Sequence, residues 1–213
     1  MAKEDLAYRS IIRMILNNQF KPGDFLLETE LAGELNLSRT PVRHALGRLV
    51  AEGFLEKRSK KGCLIPLPTP EDAMQVFLVR EAIESQAAAL AARFATGADI
   101  EELRSLLRTE RETHASFDRE AYALANEQFH LSIVRISRNT YLELYCRHVF
   151  WRSNLYIFFF DSYYVQKETD DRLHLTHADI VEAIANRDAE SAEAGMRQHI
   201  RRTYDMLFIP WKK

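Results

Sequence analysis

Cysteine is scarce in this 213-residue sequence. Cys63 and Cys146 are too few for a disulfide framework, so a reducing cytoplasm is the expected compartment. Seven glycines and six prolines are too few for a collagen-like or low-complexity chain. No apolar run approaches the ~20 residues of a membrane-spanning helix; the longest lies near Tyr156–Phe160. The opening residues carry Glu4 and Asp5 and show no apolar stretch ending at a small-residue cleavage site, so no secretory signal is expected. A large net charge is missing as well: 29 Lys+Arg face 31 Asp+Glu, for −2. Taken over the whole chain, that balance argues against a nucleic-acid partner. What remains is an ordinary globular composition, 46% hydrophobic and 28% charged, long enough for one or two domains.

The charge is unevenly placed. Residues 1–67 hold 11 basic and 8 acidic side chains, whereas residues 68–213 hold 18 and 23. Between Arg39 and Lys61 seven basic residues meet only Glu52 and Glu56. A basic segment joined to an acidic partner is the footprint of a DNA-reading module on a domain with another task. Charge fluctuation on a solvated surface is the competing reading, and the local pattern decides between them.

That pattern is helical. Leu6, Ile11, Ile12, Ile15 and Leu16 share one face of a first helix. Lys21-Pro22-Gly23-Asp24 is a turn, and Glu28–Leu35 a short second helix. Ser38 is placed to cap a third helix, which tolerates Pro41 in its first turn and runs to about Ala51 before Gly53. Two β-prone pieces, Phe54–Lys57 and Cys63–Leu67, follow around a basic connection. Together these elements predict a winged helix-turn-helix over residues 1–67. Its third helix would enter the major groove, N-terminal end towards the base edges. Arg39 and Arg43 share its exposed face, and Arg pairs bidentately with guanine. Ser38 and Thr40 suit phosphates, and Lys60 and Lys61 at the hairpin tip suit the backbone or a minor groove.

The run Leu37-Ser38-Arg39-Thr40-Pro41-Val42-Arg43, with Leu31-Ala32 before it and Ala45-Leu46, Gly53-Phe54-Leu55 and Gly62 after it, resembles the GntR family of bacterial transcription regulators. The resemblance implies that Arg39, Arg43 and Gly62 lie at the DNA. Two positions depart from the family pattern. Thr29 stands where an Arg is frequent, and His44 where Glu is common, so the operator preference is expected to differ from the commonest one.

Pro66, Pro68 and Pro70 make a stiff joint, and residues 68–72 are read as a linker. Beyond it no strand-like alternation occurs. Six helical stretches, near 70–95, 98–116, 118–137, 139–164, 167–186 and 188–208, predict an antiparallel all-α bundle over 73–213. Asp99, Asp118, Asn139 and Asp188 stand near their starts. His130 lies one turn after Asn126 on the face of Ala123, Ile133 and Val134. His177 shares a stripe with Ile180, Val181 and Ile184, and His199 with Ala192, Met196 and Thr203. Each alone reads as a hydrogen-bonded core histidine; three on inward stripes read equally as converging N/O metal ligands. His114, among Glu110, Arg111 and Glu112, reads as a solvated face. The Trp151, Tyr156 and Phe158–Phe160 cluster reads as core or dimer surface rather than a cofactor box.

Asn126, Phe129-His130, Ser137, Asn139, His177, Asp188, Met196 and His199 resemble the FCD ligand-sensing domain of the FadR-type GntR branch. The resemblance implies a divalent ion, of the zinc, nickel or manganese class, held by Asn126, His130, His177 and His199. It also implies a small anionic metabolite, a carboxylate or sugar acid, on the open coordination positions. Arg80 matches an Arg of the class that faces the pocket, with Arg147 and Arg152 as weaker candidates; an Arg80–Glu84 ion pair is the plain alternative. The function expected is a cytoplasmic homodimeric regulator, a repressor of a near-palindromic operator, and not an enzyme. A metal-dependent enzyme at the three histidines, and a metal-free dimeric regulator with structural histidines, are the alternatives.

Overall fold

The computed structural model describes residues 2–58, 62–160 and 172–207, with backbone alone at residue 119 and residues 172–175. The chain divides into two compact units, Met1–Thr69 and Pro70–Lys213.

The first unit contains α1 (Lys3–Leu16), β1 (Phe25–Leu26), α2 (Glu28–Glu34), α3 (Arg39–Ala51), β2 (Glu56–Arg58) and β3 (Gly62–Leu64). α1 turns Ala7, Ile11, Ile12 and Ile15 inward, and Val42, Ala45, Leu46 and Leu49 of α3 meet that core. The sheet is antiparallel in the order β1-β3-β2, with Leu26 and Lys57 both registered on Cys63. Strand β1 was not expected from the sequence. The Lys21–Asp24 turn sets it up: the Lys21 N–H donates to Asp24 Oδ2 at 2.8 Å, and the Gly23 N–H donates to the Ile65 carbonyl at 2.8 Å. Gly62 has φ +92°, and a Cβ there would lie 2.6 Å from the Leu26 carbonyl oxygen. Close pairing of β3 with β1 therefore demands glycine at 62, whatever else that position does.

One expectation needs correction here. Ser38 occupies the N-cap position of α3 with extended backbone, but its hydroxyl makes no capping bond. Arg48, one of the seven clustered bases, is used internally. Its guanidinium lies 3.9 Å over the Tyr8 ring and its Nε donates to Glu52 Oε1 at 3.0 Å.

The second unit is all helix among its described residues: α4 (Pro70–Phe94), α5 (Gly97–Ala115), α6 (Arg119–Ile136), α7 (Thr140–Phe160), α8 (Arg172–Ala185) and α9 (Ala189–Met206). α4 begins at Pro70, so residues 70–72, read as linker, are its first turn. The parts of two expected helices that fall in 161–171 lie outside the described residues. Caps explain the starts. Thr96 and Asp99 form a reciprocal capping box on α5, while Asp118 and Asp188 accept from Ala121 N–H and Ser191 N–H. The ends use left-handed residues other than glycine, Phe117 (φ 55°), Arg138 (56°) and Arg187 (61°). Two of these also close the C-terminus of α4. Arg138 donates to the Phe94 carbonyl at 3.2 Å, and Arg187 to those of Ala92 and Arg93 at 3.3 Å, where cations favour the helix dipole.

Small side chains on α4 (Ala73, Ala88, Ala91, Ala92) admit the neighbouring helices to a core of Phe77, Phe129, Ile133, Tyr156, Ile180, Ile184, Met196 and Ile200. Of the aromatic cluster, Trp151, Tyr156 and Phe158 are buried and Phe159 and Phe160 half-buried. No described helix is long and apolar enough to cross a membrane.

Candidate metal centre and nucleic-acid interface

The inward stripes of α6, α8 and α9 converge. His130, His177 and His199 are all buried, and one ligand atom from each lies within 4.8 Å of the others. Phe129 stacks on His177 with ring centroids 4.3 Å apart, and Phe150 flanks His130 at 5.4 Å. The site is thus buried and walled by aromatics.

The far side of each ring is anchored. His130 Nδ1 is 2.5 Å from Glu84 Oε2, His177 Nδ1 is 2.8 Å from Glu110 Oε2, and His199 Nδ1 is 3.1 Å from Thr176 Oγ1. An ionised carboxylate only accepts, so His130 and His177 donate from Nδ1, which leaves Nε2 as the atom for ligation. His177 Nε2 lies 3.0 Å from His199 Nε2. With metal–nitrogen distances of ~2.0–2.1 Å, adjacent ligands of one ion stand roughly 3 Å apart, so this spacing suits two ligands on a shared ion. Carboxylates behind ligating imidazoles fix tautomer and ring direction in metal sites. The donor set fits a divalent metal.

Electrostatics agree. Burial pushes the His130 imidazolium down against the opposing pull of Glu84, and burial with neighbouring positive groups pushes His199 well down; both rings are therefore neutral, as ligation requires. Burial raises the Glu84 carboxyl, but Arg80 and His130 outweigh it and hold it at about 2.

Asn126 is half-buried on the same face of α6, and its Nδ2 donates to Glu110 Oε1 at 3.1 Å. Since the carboxylate cannot donate, the amide is oriented, and Oδ1 is the atom left for ligation.

Each of the three candidate arginines meets a carboxylate. Arg80 is fully buried, with Nε on Glu84 Oε1 at 2.6 Å, Nη1 on Ser153 Oγ at 2.9 Å and its guanidinium 4.7 Å over Phe150. It braces the wall of the centre through Glu84. Arg152 pairs with Asp72 at 2.8 Å, and Arg147 approaches Glu143 at 3.8 Å on the surface. Glu110 and His114, expected on a solvated face, are both buried, and His114 packs on Tyr122. The available signal was spacing: Leu103, Leu107, Glu110 and His114 fall on one helical stripe.

In the first unit, α3 exposes Ser38, Arg39, Thr40, Arg43 and His44 along one side. Arg39 Nε donates to Glu28 Oε1 at 2.8 Å, and His44 Nδ1 stands 3.4 Å from Glu4 Oε2. Lys60 and Lys61 lie outside the described residues. The exposed α3 face with two arginines one turn apart has the form of a major-groove reader.

Likeness to known proteins carries this further. Residues 3–65 match bacterial regulatory proteins of the gntR family, and residues 75–202 match the FCD domain. The class is therefore a DNA-binding transcription regulator that couples a winged helix-turn-helix to an FCD domain, and not an enzyme. The chain belongs to the gntR family. It is similar to the transcriptional regulator LutR of Bacillus subtilis (strain 168), 31% identical over 216 residues covering 91% of this chain and 96% of that one. It also resembles the Nta operon transcriptional regulator of Aminobacter aminovorans, 29% identical over 194 residues covering 91% and 89%. Among solved structures, E. coli McbR/YncC shares the fold, with TM-score 0.78 at 21% identity and 95% of each chain covered.

Proposed function

We propose that this chain is a homodimeric repressor whose grip on a near-palindromic operator is controlled by a small carboxylate or sugar acid at a divalent metal. His130, His177, His199 and Asn126 hold the ion; Arg39 and Arg43 read bases, and Ser38, Thr40, Lys60 and Lys61 hold phosphates. One observation carries the reading: three buried imidazoles from three helices converge, two of them with Nδ1 held by carboxylates. A bound ion would supply open coordination positions for an anionic oxygen. Everything else falls to the chain. Glu84 and Glu110 aim the rings, Phe129 and Phe150 exclude water, and Arg80 keeps Glu84 ionised. Arg80, Arg147 and Arg152 are engaged by Glu84, Glu143 and Asp72, so the anion's counter-charge is assigned to the ion. Ligand binding shifts the spacing of two α3 helices through the Pro66–Pro70 segment, by no more than its differential affinity for the two arrangements. That one relative is named for the operon it regulates supports operon control.

One observation favours a second reading, a metal-free centre. If Thr176 donates to His199 Nδ1, then His199 Nε2–H donates to His177 Nε2 over the same 3.0 Å. His177 and His199 would then be satisfied at both nitrogens by the chain itself, with His130 held at Nδ1 by Glu84.

Binding to a duplex selected from a random library separates the two. Zinc-loaded protein is titrated with citrate, lactate and gluconate, beside His177→Ala and His199→Ala. The proposal expects at least one acid to change operator Kd by roughly tenfold or more in the parent only, a coupling of about 1.4 kcal/mol. Identical Kd in every case would refute metal-dependent sensing.

A further inference from the structure

We infer that Glu28 sets how Arg39 reads a base, resting on the reading that Arg39 contacts base edges. Each residue opens a helix, Glu28 that of α2 and Arg39 that of α3. Arg39 Nε donates to Glu28 Oε1 at 2.8 Å, the arginine side chain being 66% exposed and the glutamate 22%. Among the described residues Arg39 makes no other hydrogen bond or ion pair, and Arg43, one turn on, makes none.

A guanidinium can offer two forked edges to a pair of acceptors, Nε–H with one Nη–H or Nη1–H with Nη2–H. Guanine presents such a pair at O6 and N7. With Nε taken by Glu28, the Nη1/Nη2 edge is the one left for the base. The contact also holds a long side chain whose freedom would otherwise be lost on binding. The same carboxylate acts against binding in general, because it places a negative charge beside a group that meets DNA, and phosphates repel it whatever the sequence. Glu28 is therefore a positioning residue that lowers affinity for any duplex and raises discrimination. Without it, Arg39 is a better cation for phosphates and a worse reader of guanine.

The test measures the Kd of the full chain by fluorescence anisotropy at one salt concentration for two duplexes. One is selected by the parent from a random library and the other is of random sequence; discrimination is the ratio of the two values. Glu28→Ala is expected to bind the random duplex about two- to fivefold tighter and to lose about three- to tenfold of discrimination. Glu28→Gln removes the charge but keeps an oxygen for the Arg39 Nε–H, so the random duplex tightens as before while discrimination stays within about twofold of the parent. In an Arg39→Ala background, Glu28→Ala is expected to leave discrimination unchanged. A fold disturbed at α2 would weaken both duplexes together. Should Glu28→Ala do that, Glu28→Gln is read alone, and a loss of more than about threefold in its discrimination counts against the inference. Parent-like discrimination in Glu28→Ala, or equal losses in the two variants, would overturn it even where Arg39→Ala discriminates poorly. Discrimination in Arg39→Ala as good as the parent's would remove base reading by Arg39 and this inference together.

Discussion

Each unit of this protein holds an arginine–glutamate pair of nearly the same length, and the two pairs do opposite things. Arg39 reaches Glu28 at 2.8 Å with its side chain 66% exposed; Arg80 reaches Glu84 at 2.6 Å with 1% exposed. Solvent around the first pair limits its worth to about 0–1 kcal/mol. Such a pair holds Arg39 over the surface and, under the proposed function, leaves it cheaply available to a guanine edge or a phosphate. The second pair has no solvent to replace either partner, so removing one leaves a buried charge at a cost of about 3–5 kcal/mol. Arg80 is thereby held against Glu84 behind His130, in the ion pair that the sequence offered as the alternative to a pocket-facing cation. Environment, not residue type or distance, separates the exposed, releasable pair from the bracing one.

The largest effect that would break this contrast is on stability. Arg80→Ala should lower unfolding free energy by about 3–5 kcal/mol in urea titrations, whereas Arg39→Ala should stay within about 0.5 kcal/mol of the parent. Equal losses would erase the distinction. Next comes metal. Zn²⁺ at a hundred times its Kd should raise stability by about 2.7 kcal/mol, read by thermal melting, and His130→Ala should show no such gain. On DNA the order of the arginines reverses. Arg39→Ala should lose about 1–3 kcal/mol of operator binding by fluorescence anisotropy, with discrimination against random duplex reduced. A mutant that discriminated as well as its parent would show that Arg39 does not read bases.

The smallest expected effect concerns a cap far from both sites. Thr96→Ala should cost about 1 kcal/mol. The Asp99 carboxyl is held below its usual range by the Thr96 hydroxyl, then by the Thr96 backbone N–H and Arg135. A lowered carboxyl stabilises above its unfolded pKa and loses that contribution as pH falls through the folded value. Asp99→Asn should therefore flatten the acid limb of the stability profile relative to the parent. An unchanged limb would mean the cap is not formed in solution.

Much of this was legible in the sequence, and the failures share a cause. The recognition helix announced itself because Ser38–Arg43 joins a periodic apolar face to polar residues that need no burial. The histidines were legible because they interrupt apolar stripes on three helices. Glu84 and Glu110 were not: an acid on a helix ordinarily marks the solvated face, and only the partners, Arg80 and His130 or Asn126 and His177, make burial tolerable. Arg80 stands one turn before Glu84 on α4 and shows in the local spacing, but His130, Asn126 and His177 come from other helices, so no local pattern reveals them. Strand β1, two residues long, is too short for any alternation to show, and exists because Gly62 lets β3 approach Leu26. Helix ends were placed by their acidic caps rather than by glycine, since Phe117, Arg138 and Arg187 take the left-handed positions.

The central claim, that buried histidines from α6, α8 and α9 make a metal centre, meets its most direct test in elemental analysis of protein purified without chelator and then offered zinc, nickel or manganese. The account predicts one equivalent of divalent metal per chain, lost in the His130→Ala, His177→Ala double variant. Parent protein that retains no metal under any of the three conditions would contradict it and leave the Thr176–His199–His177 hydrogen-bond chain as the purpose of the histidines.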